Sequence, residues 1–445
     1  MEDNIFEKNS IVKTYLTLAL PAVFNMLVSI IYNMVDTYFI AKTNDLNLVA
    51  GVSLCAPIFM ILMALGNILG QGGSSLLSRL IGSNLKEDTK RVSAFCFYVA
   101  LFIGIIVGIL MLVFKEPILN ILGASSNTYN YALDYYLIFT IGAPIVVLNF
   151  IHGNLLRCEG LAFNSMAGSV SGTVINMILD PIFIFTLNMG AKGAALATLI
   201  GYLFTVIYQF LVVIKKSKYI SVSFKLININ NKYISDIITV GIPAALTNIT
   251  SSICTILINQ YLLPYGDDKI AMMGIALKVI NIGSLILVGF SFGGAPIIGY
   301  FYGAKNKTKL KELVRFCYSF EGILSIILGL ILFIGAPYLL SLFLSDSSLL
   351  LETTRMFRLQ VIGLPFMGFI LISTIFCQSF GKANGSLILS LSRQGIVFIL
   401  SIIILSNLLG YDGVIWSQFV SDSLSMLIAL LIFKFIINKT INELN

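Results

Sequence analysis

The sequence predicts an all-α integral membrane protein: twelve transmembrane helices in two parallel six-helix repeats around a central cavity. Three observations predict it. Hydrophobic residues make up 58% of the 445 and charged ones only 11%, against about 25% charged in a soluble domain, so the chain holds more apolar surface than one water-exposed core could hide. Cutting it at its charged residues leaves uncharged runs at 14–35, 46–78, 92–114, 135–156, 160–179, 193–214, 237–266, 279–304, 322–345, 359–381 and 394–411, and a twelfth at 413–433 broken only by Asp422. Nearly all meet the roughly 18–20 residues that a helix needs to cross a bilayer. The third observation is a repeat at an offset of 220–222 residues: Pro21 with Pro243, Gly72-Gly73 and Gly82 with Gly293-Gly294 and Gly303, Gly142 and Pro144 with Gly363 and Pro365, Gly160 with Gly381, and Gly190 and Gly193 with Gly410 and Gly413.

Each element follows in order. The opening MEDNIFEKNS has no basic n-region and no small-residue cleavage site follows the first apolar run, so the first helix is expected to stay in the chain. The longest polar interruption, 215–236, divides the helices six and six and reads as a linker between lobes 1–214 and 237–445. Six spans per half return each half to the side it entered from, so the repeat is parallel, with its pseudo-two-fold axis along the membrane normal. With the N-terminus inside, 20 of the 28 Lys and Arg fall on the inner loops and six on the outer ones, leaving Lys278 and Arg393 within helices. By the positive-inside rule both termini and the linker are expected in the cytoplasm. The net charge of +7 is therefore an orientation signal facing lipid headgroups, and nucleic acid is not expected as a partner.

Several chemistries are excluded. The six cysteines stand singly without CxxC spacing and read as small packing residues. His152 is the only histidine, which leaves no histidine-based metal site or triad, and it reads as a hydrogen-bonded helix residue. Gly70-Gln71-Gly72-Gly73 lacks the Lys-Ser/Thr of a phosphate loop. Scattered acids without a catalytic cluster argue against an enzyme.

The acids inside apolar runs carry the functional signal, because an ionised carboxylate at a helix centre costs roughly 2.5–3.5 kcal/mol on insertion scales. Asp36 lies in the first helix and Asp180 in the fifth, each with polar companions at helical spacing: Asn33 for Asp36, and Asn176 and Thr173 for Asp180. Carboxylates, amide oxygens and a hydroxyl make an oxygen-only site for a hard monovalent cation, and can equally hold a proton. The repeat supplies a control. Adding the offset to Asp36 gives Ile258 and to Asp180 gives Ser401, so the scaffold does not require an acid at either position. Arg157 and Glu159 read as a solvated pair at a helix end, and Glu321, Lys278, Arg393 and Asp422 as polar groups of the second half without an assigned role. A duplicated bundle with buried acids implies transport through alternating access.

Four passages give the chain a family likeness: Leu20-Pro21-Ala22 with Val35-Asp36-Thr37-Tyr38-Phe39-Ile40; Gly70-Gln71-Gly72-Gly73 with Ser78-Arg79 and Gly82; Arg157-Cys158-Glu159-Gly160; and Asn176 with Asp180-Pro181. The chain resembles the MATE (multidrug and toxic compound extrusion) transporters, in the prokaryotic branch with its cation site in the N-terminal lobe. The resemblance implies a cation-coupling set of Asp36, Asn176, Asp180 and Thr198, which would also be the metal ligands if the coupling ion is Na+. It implies Tyr32, Asn33 and Asn154 on the substrate side. Another branch carries acids in helices 7 and 10, and this sequence has none in either core. The expected activity is secondary active efflux of lipophilic, often cationic drugs in exchange for Na+ or H+, with no cofactor, by a monomer in the inner (cytoplasmic) membrane of a prokaryotic cell. The alternative is a flippase of lipid-linked precursors or oligosaccharides, which would favour several cationic residues along its path.

Overall fold

A computed structural model describes residues 5–43, 45–344 and 346–444, and every regular element among them is helical. Twelve helices are long and apolar enough to cross a membrane: α1 Ile11–Ile40, α2 Leu46–Gly82, α3 Lys86–Val113, α4 Tyr129–Cys158, α5 Ala162–Thr186, α6 Gly190–Lys216, α7 Asn231–Tyr265, α8 Asp267–Gly303, α9 Lys307–Ser341, α10 Ser347–Ser379, α11 Ala383–Leu409 and α12 Tyr411–Asn442. Large apolar side chains stay uncovered along many of them, as in Phe102, Ile109 and Val113 of α3. Contiguous faces of this kind are stable in lipid rather than water. The chain is a multi-pass membrane protein.

Two compact units emerge, Phe24–Ala245 and Met1–Val23 with Leu246–Asn445. Their limits differ from the expected lobes 1–214 and 237–445, because the first parts of α1 and α7 pack with helices of the opposite half-chain. A Cβ on Gly293 would lie 2.3 Å from Ala19 Cα, and one on Gly289 2.8 Å from Val23 Cα, which ties the start of α1 to α8. In the other unit a Cβ on Gly241 would lie 2.0 Å from the Ile68 carbonyl oxygen, and one on Gly72 2.0 Å from that of Ile237, which ties the start of α7 to α2. Glycines let these backbones touch, as in other membrane helix pairs. Pro21 and Pro243 sit inside α1 and α7 just before each exchange point.

The expected linker 215–236 is shorter in fact. Helix α6 runs to Lys216 and α7 starts at Asn231, so the polar residues 231–236 are the first turns of α7. What remains is held on α3: Ser221 N–H donates to Ser93 Oγ (2.9 Å), and the Tyr98 hydroxyl to the Val222 carbonyl (2.8 Å).

The repeat is written into the backbone as well. Left-handed φ values occur at Asn84 (59°) and Lys305 (54°), at Gly160 (87°) and Gly381 (71°), and at Gly190 (54°) and Gly410 (59°), three pairs separated by the sequence offset. Helices α4 and α10 are both interrupted, at Phe150–Ile151 and Ile362–Gly363. They are also the two most enclosed spans, 61% buried along their apolar stretches against 22% for α1 and α9. Each is therefore the inner helix of its unit.

Candidate cation site in the Phe24–Ala245 unit

The site is built on the contact between α5 and α6. A Cβ on Gly172 would meet the Gly201 carbonyl oxygen at 2.4 Å, and one on Gly201 would meet that of Gly172 at 2.6 Å. Only hydrogen fits between them, so the two backbones lie in direct contact. One turn along α5 from Gly172, the Asn176 Nδ2 donates to Thr198 Oγ1 at 3.2 Å. The Thr198 hydroxyl donates to the Ala194 carbonyl at 3.1 Å, which leaves its oxygen as acceptor for the Tyr32 hydroxyl of α1, 3.4 Å away. A further turn along α5 stands Asp180, fully buried, and Pro181 follows it. Proline supplies no N–H to the helix ladder, and the helix widens into a π turn over Ile182–Thr186.

The electrostatics are unusual for so buried a place. Among the described residues, neither carboxylate oxygen of Asp180 nor the Oδ1 of Asn176 has a hydrogen-bond partner, although these residues are 0% and 3% exposed. Buried oxygens are rarely left so. Asp36 of α1 is half-buried and lies within Coulombic reach of Asp180. The donor set is thus two carboxylates, an amide oxygen and a hydroxyl, with no nitrogen or sulfur, as a hard cation requires. Among the described residues no group of three or more His, Cys, Asp or Glu stands together. Two carboxylates and neutral oxygens suit one Na+ or a proton better than a transition metal.

The structure brings Asn176, Thr198 and Tyr32 into one hydrogen-bonded chain, with Asp180 and Asp36 beside it. It does not join Asn33 or Asn154 to that chain. Asn33 is exposed, and its Nδ2 donates to the Ser29 carbonyl of its own helix (2.8 Å). Asn154 Nδ2 donates to the Phe150 carbonyl at the break in α4 (2.6 Å), and its Oδ1 accepts from Arg157. Thr173 likewise turns back on its own helix, donating to the Ser169 carbonyl (3.0 Å).

Two residues absent from the sequence-based set belong here. Tyr135 of α4 and Tyr202 of α6 lie within Coulombic reach of Asp36. Tyr202 stacks on Phe59 (centroids 6.1 Å apart, 13° between planes) and Tyr135 packs on Phe139 (4.9 Å). Tyr202 was legible, since it stands one helical turn after Thr198. Tyr135 gives no such signal.

The remaining polar residues divide clearly. Arg393 Nε donates to Asp422 Oδ1 at 3.0 Å, and Gln418 Nε2 to the same oxygen at 2.9 Å, so this pair is charge-compensated. Lys278 is exposed. Arg157 and Glu159 do not form a pair: Glu159 instead accepts from the Ser217 hydroxyl and from the N–H groups of Lys218 and Tyr219, fastening the segment after α6. Burial pushes the Glu159 carboxyl above its ordinary range, and those donors partly offset it. His152 is not hydrogen-bonded as expected. Neither ring nitrogen has a hydrogen-bond partner among the described residues, and the ring packs against Phe97 (5.0 Å) and Phe210 (6.1 Å). All six cysteines are buried and free.

Comparisons with known proteins agree with this architecture. The profile of the MatE family matches twice, at residues 21–182 and 243–403, in the register of the internal repeat. The chain is 32% identical over 427 residues to the multidrug export protein MepA of Staphylococcus aureus strain MRSA252, and 31% to that of Staphylococcus haemolyticus strain JCSC1435, covering 96% of this chain and 94% of each relative. Among solved structures, a MATE crystal structure in complex with MaL6 superposes with a TM-score of 0.93 at 24% identity, covering 99% of both chains. An outward-facing multidrug resistance MATE family transporter of the MOP superfamily gives 0.92 at 25%, with the same coverage. The chain belongs to the MatE family, the multidrug and toxic compound extrusion (MATE) transporters.

Proposed function

We propose that this transporter is a multidrug efflux antiporter that exports lipophilic, often cationic small molecules in exchange for Na+ or H+ bound at Asp36, Asn176, Asp180 and Thr198. The observation that carries the reading is the Asp180 carboxylate, buried with neither oxygen partnered among the described residues, in a chain whose relatives are multidrug export proteins. An ionised group there is unstable by roughly 2.5–3.5 kcal/mol at membrane depth, and one proton or Na+ removes that cost. Thr198 and Asn176 offer neutral oxygens to complete a shell, while Tyr32 links the set to α1. An ion that binds one conformer better shifts the balance between inward- and outward-open states by its differential affinity. Asn33 and Asn154 are assigned to drug contact on the family likeness alone.

The protein sits in the cytoplasmic membrane as a monomer among lipids, with both termini inside. The lipid-precursor reading has little to support it. Such a headgroup calls for free cationic side chains, and the Arg393 guanidinium is held by Asp422.

Reconstituted vesicles loaded with a fluorescent lipophilic cation test the reading, under a Na+ gradient alone or a pH gradient alone. Export by the wild type is expected under at least one gradient. Transport of no lipophilic cation under either would sink the proposal.

A further inference from the structure

The second unit holds its own uncompensated acid. Glu321, in α9, is 0% exposed. The Ser291 hydroxyl of α8 donates to its Oε1 at 2.8 Å, and its Oε2 has no hydrogen-bond partner among the described residues. Tyr15, from the start of α1, faces it, but the single hydroxyl proton of Tyr15 goes to the Phe290 carbonyl (3.0 Å). The other titratable neighbour is the Cys317 thiol, one turn earlier on α9. From α10 the close approach is Gly368, whose Cβ would lie 3.3 Å from the Glu321 carbonyl oxygen. Phenylalanines enclose the pocket: Tyr15 packs edge-on against Phe316 (5.2 Å) and Phe320 (5.7 Å), and Phe290 against Phe320 (5.0 Å). Among the described residues no Lys or Arg forms an ion pair with Glu321 or acts on it at longer range.

Two comparisons within the chain sharpen this. Asp422, the other buried acid of the same unit, has Arg393 as a counter-charge; Glu321 has none. Subtracting the repeat offset of 221 from Glu321 gives Ala100, and from Ser291 gives Gly70, while Tyr15 corresponds to Ile237 at the offset of the Pro21 and Pro243 pair. Ala100 and Ile237 are fully buried in the first unit. The same scaffold is therefore complete with an apolar trio, and the acid with its Ser291 donor is an addition of the second half. With no cation beside it, an ionised carboxylate is costly in this pocket.

We propose that Glu321 is a second proton-binding site of the transporter, separate from the Asp36/Asp180 set, and that it must lose and regain its proton for export to proceed. This rests on the efflux reading above. The step is a plain ionisation. The O–H bond of the acid breaks, the proton passes to water, the electron pair stays on the carboxylate oxygen, and the Ser291 hydroxyl remains its donor. The Tyr15 hydroxyl is the nearby polar group able to turn from the Phe290 carbonyl to the new charge.

Infrared difference spectra of the reconstituted full chain between acid and alkaline pH, with no drug present, read the site directly. The wild type is expected to show the carbonyl band of a buried protonated carboxyl that titrates. The component of the band due to Glu321 should be missing in Glu321→Gln and Glu321→Ala and kept in the Asp36→Asn/Asp180→Asn double variant. In vesicles with a pH gradient, Glu321→Gln should lower tetraphenylphosphonium export at least roughly tenfold, and Glu321→Asp, which restores a proton carrier, should recover part of it. Identical titrations in the wild type and Glu321→Gln would overturn the assignment, as would wild-type export with unchanged pH dependence in Glu321→Gln. If the wild type itself moves no tetraphenylphosphonium, the efflux reading fails, and the infrared titration alone decides whether Glu321 binds a proton.

Discussion

Asp180 and Asp36 carry the residue-scale argument, because membrane depth leaves an acid few ways to exist. Asp422 has an arginine, and neither oxygen of Asp180 has a hydrogen-bond partner among the described residues. If Asp36 and Asp180 hold one ion between them, Asp36→Asn, Asp180→Asn and the double variant should each cut ion-driven export to a similar degree, at least roughly tenfold, since residues acting as a unit are not additive. Transport assays at matched expression check this, and strictly additive partial losses would separate the two sites. Asp45, outside the membrane, makes a different prediction. Its carboxylate accepts from the Tyr131 hydroxyl (2.6 Å) and from the Asn47 and Leu48 N–H groups at the start of α2, and the Tyr131 bond above all holds it below its ordinary value of 3.8. The stability it adds is present above 3.8 and fades as pH falls through the lower folded value. Asp45→Asn should therefore melt earlier than the wild type at neutral pH, and the gap should close on acidification.

At the scale of elements, the α5–α6 glycine contact sets the cluster. Gly172→Leu would force a side chain into the Gly201 carbonyl, part the two helices, and break the Asn176–Thr198 bond one turn away. Overpacking of this kind typically costs about 1–3 kcal/mol. The purified variant should melt earlier and export little, whereas Thr198→Ser, which keeps the hydroxyl, should retain activity. Melting curves and vesicle assays distinguish a folding defect from a site defect. Helix number and the α5 pair Asn176 and Asp180 were legible from spacing. The break in α4 was not, because Asn154 reads as an ordinary helix polar until the Phe150 carbonyl that its Nδ2 satisfies shows its role.

For the whole molecule, orientation is the testable quantity. Single cysteines placed in 217–230, on a background without the six native ones, should resist an impermeant thiol reagent in intact cells and react in inverted vesicles. Labelling from outside would overturn both the topology and the parallel reading of the repeat. The repeat itself is present at three levels: in Gly and Pro positions, in the left-handed turns, and in the double match to the family profile.

The sequence by itself determined the class, the twelve spans, the repeat and the acids worth suspecting, because hydropathy and charge are local and a bilayer enforces them segment by segment. Tertiary structure decided which half of a helix joins which unit, since the starts of α1 and α7 follow backbone contacts at Gly293 and Gly241 that no local pattern announces. It also decided which acids are compensated. Asp422 and Glu321 look alike in the sequence, and only the folded chain gives an arginine to one and a lone serine hydroxyl to the other.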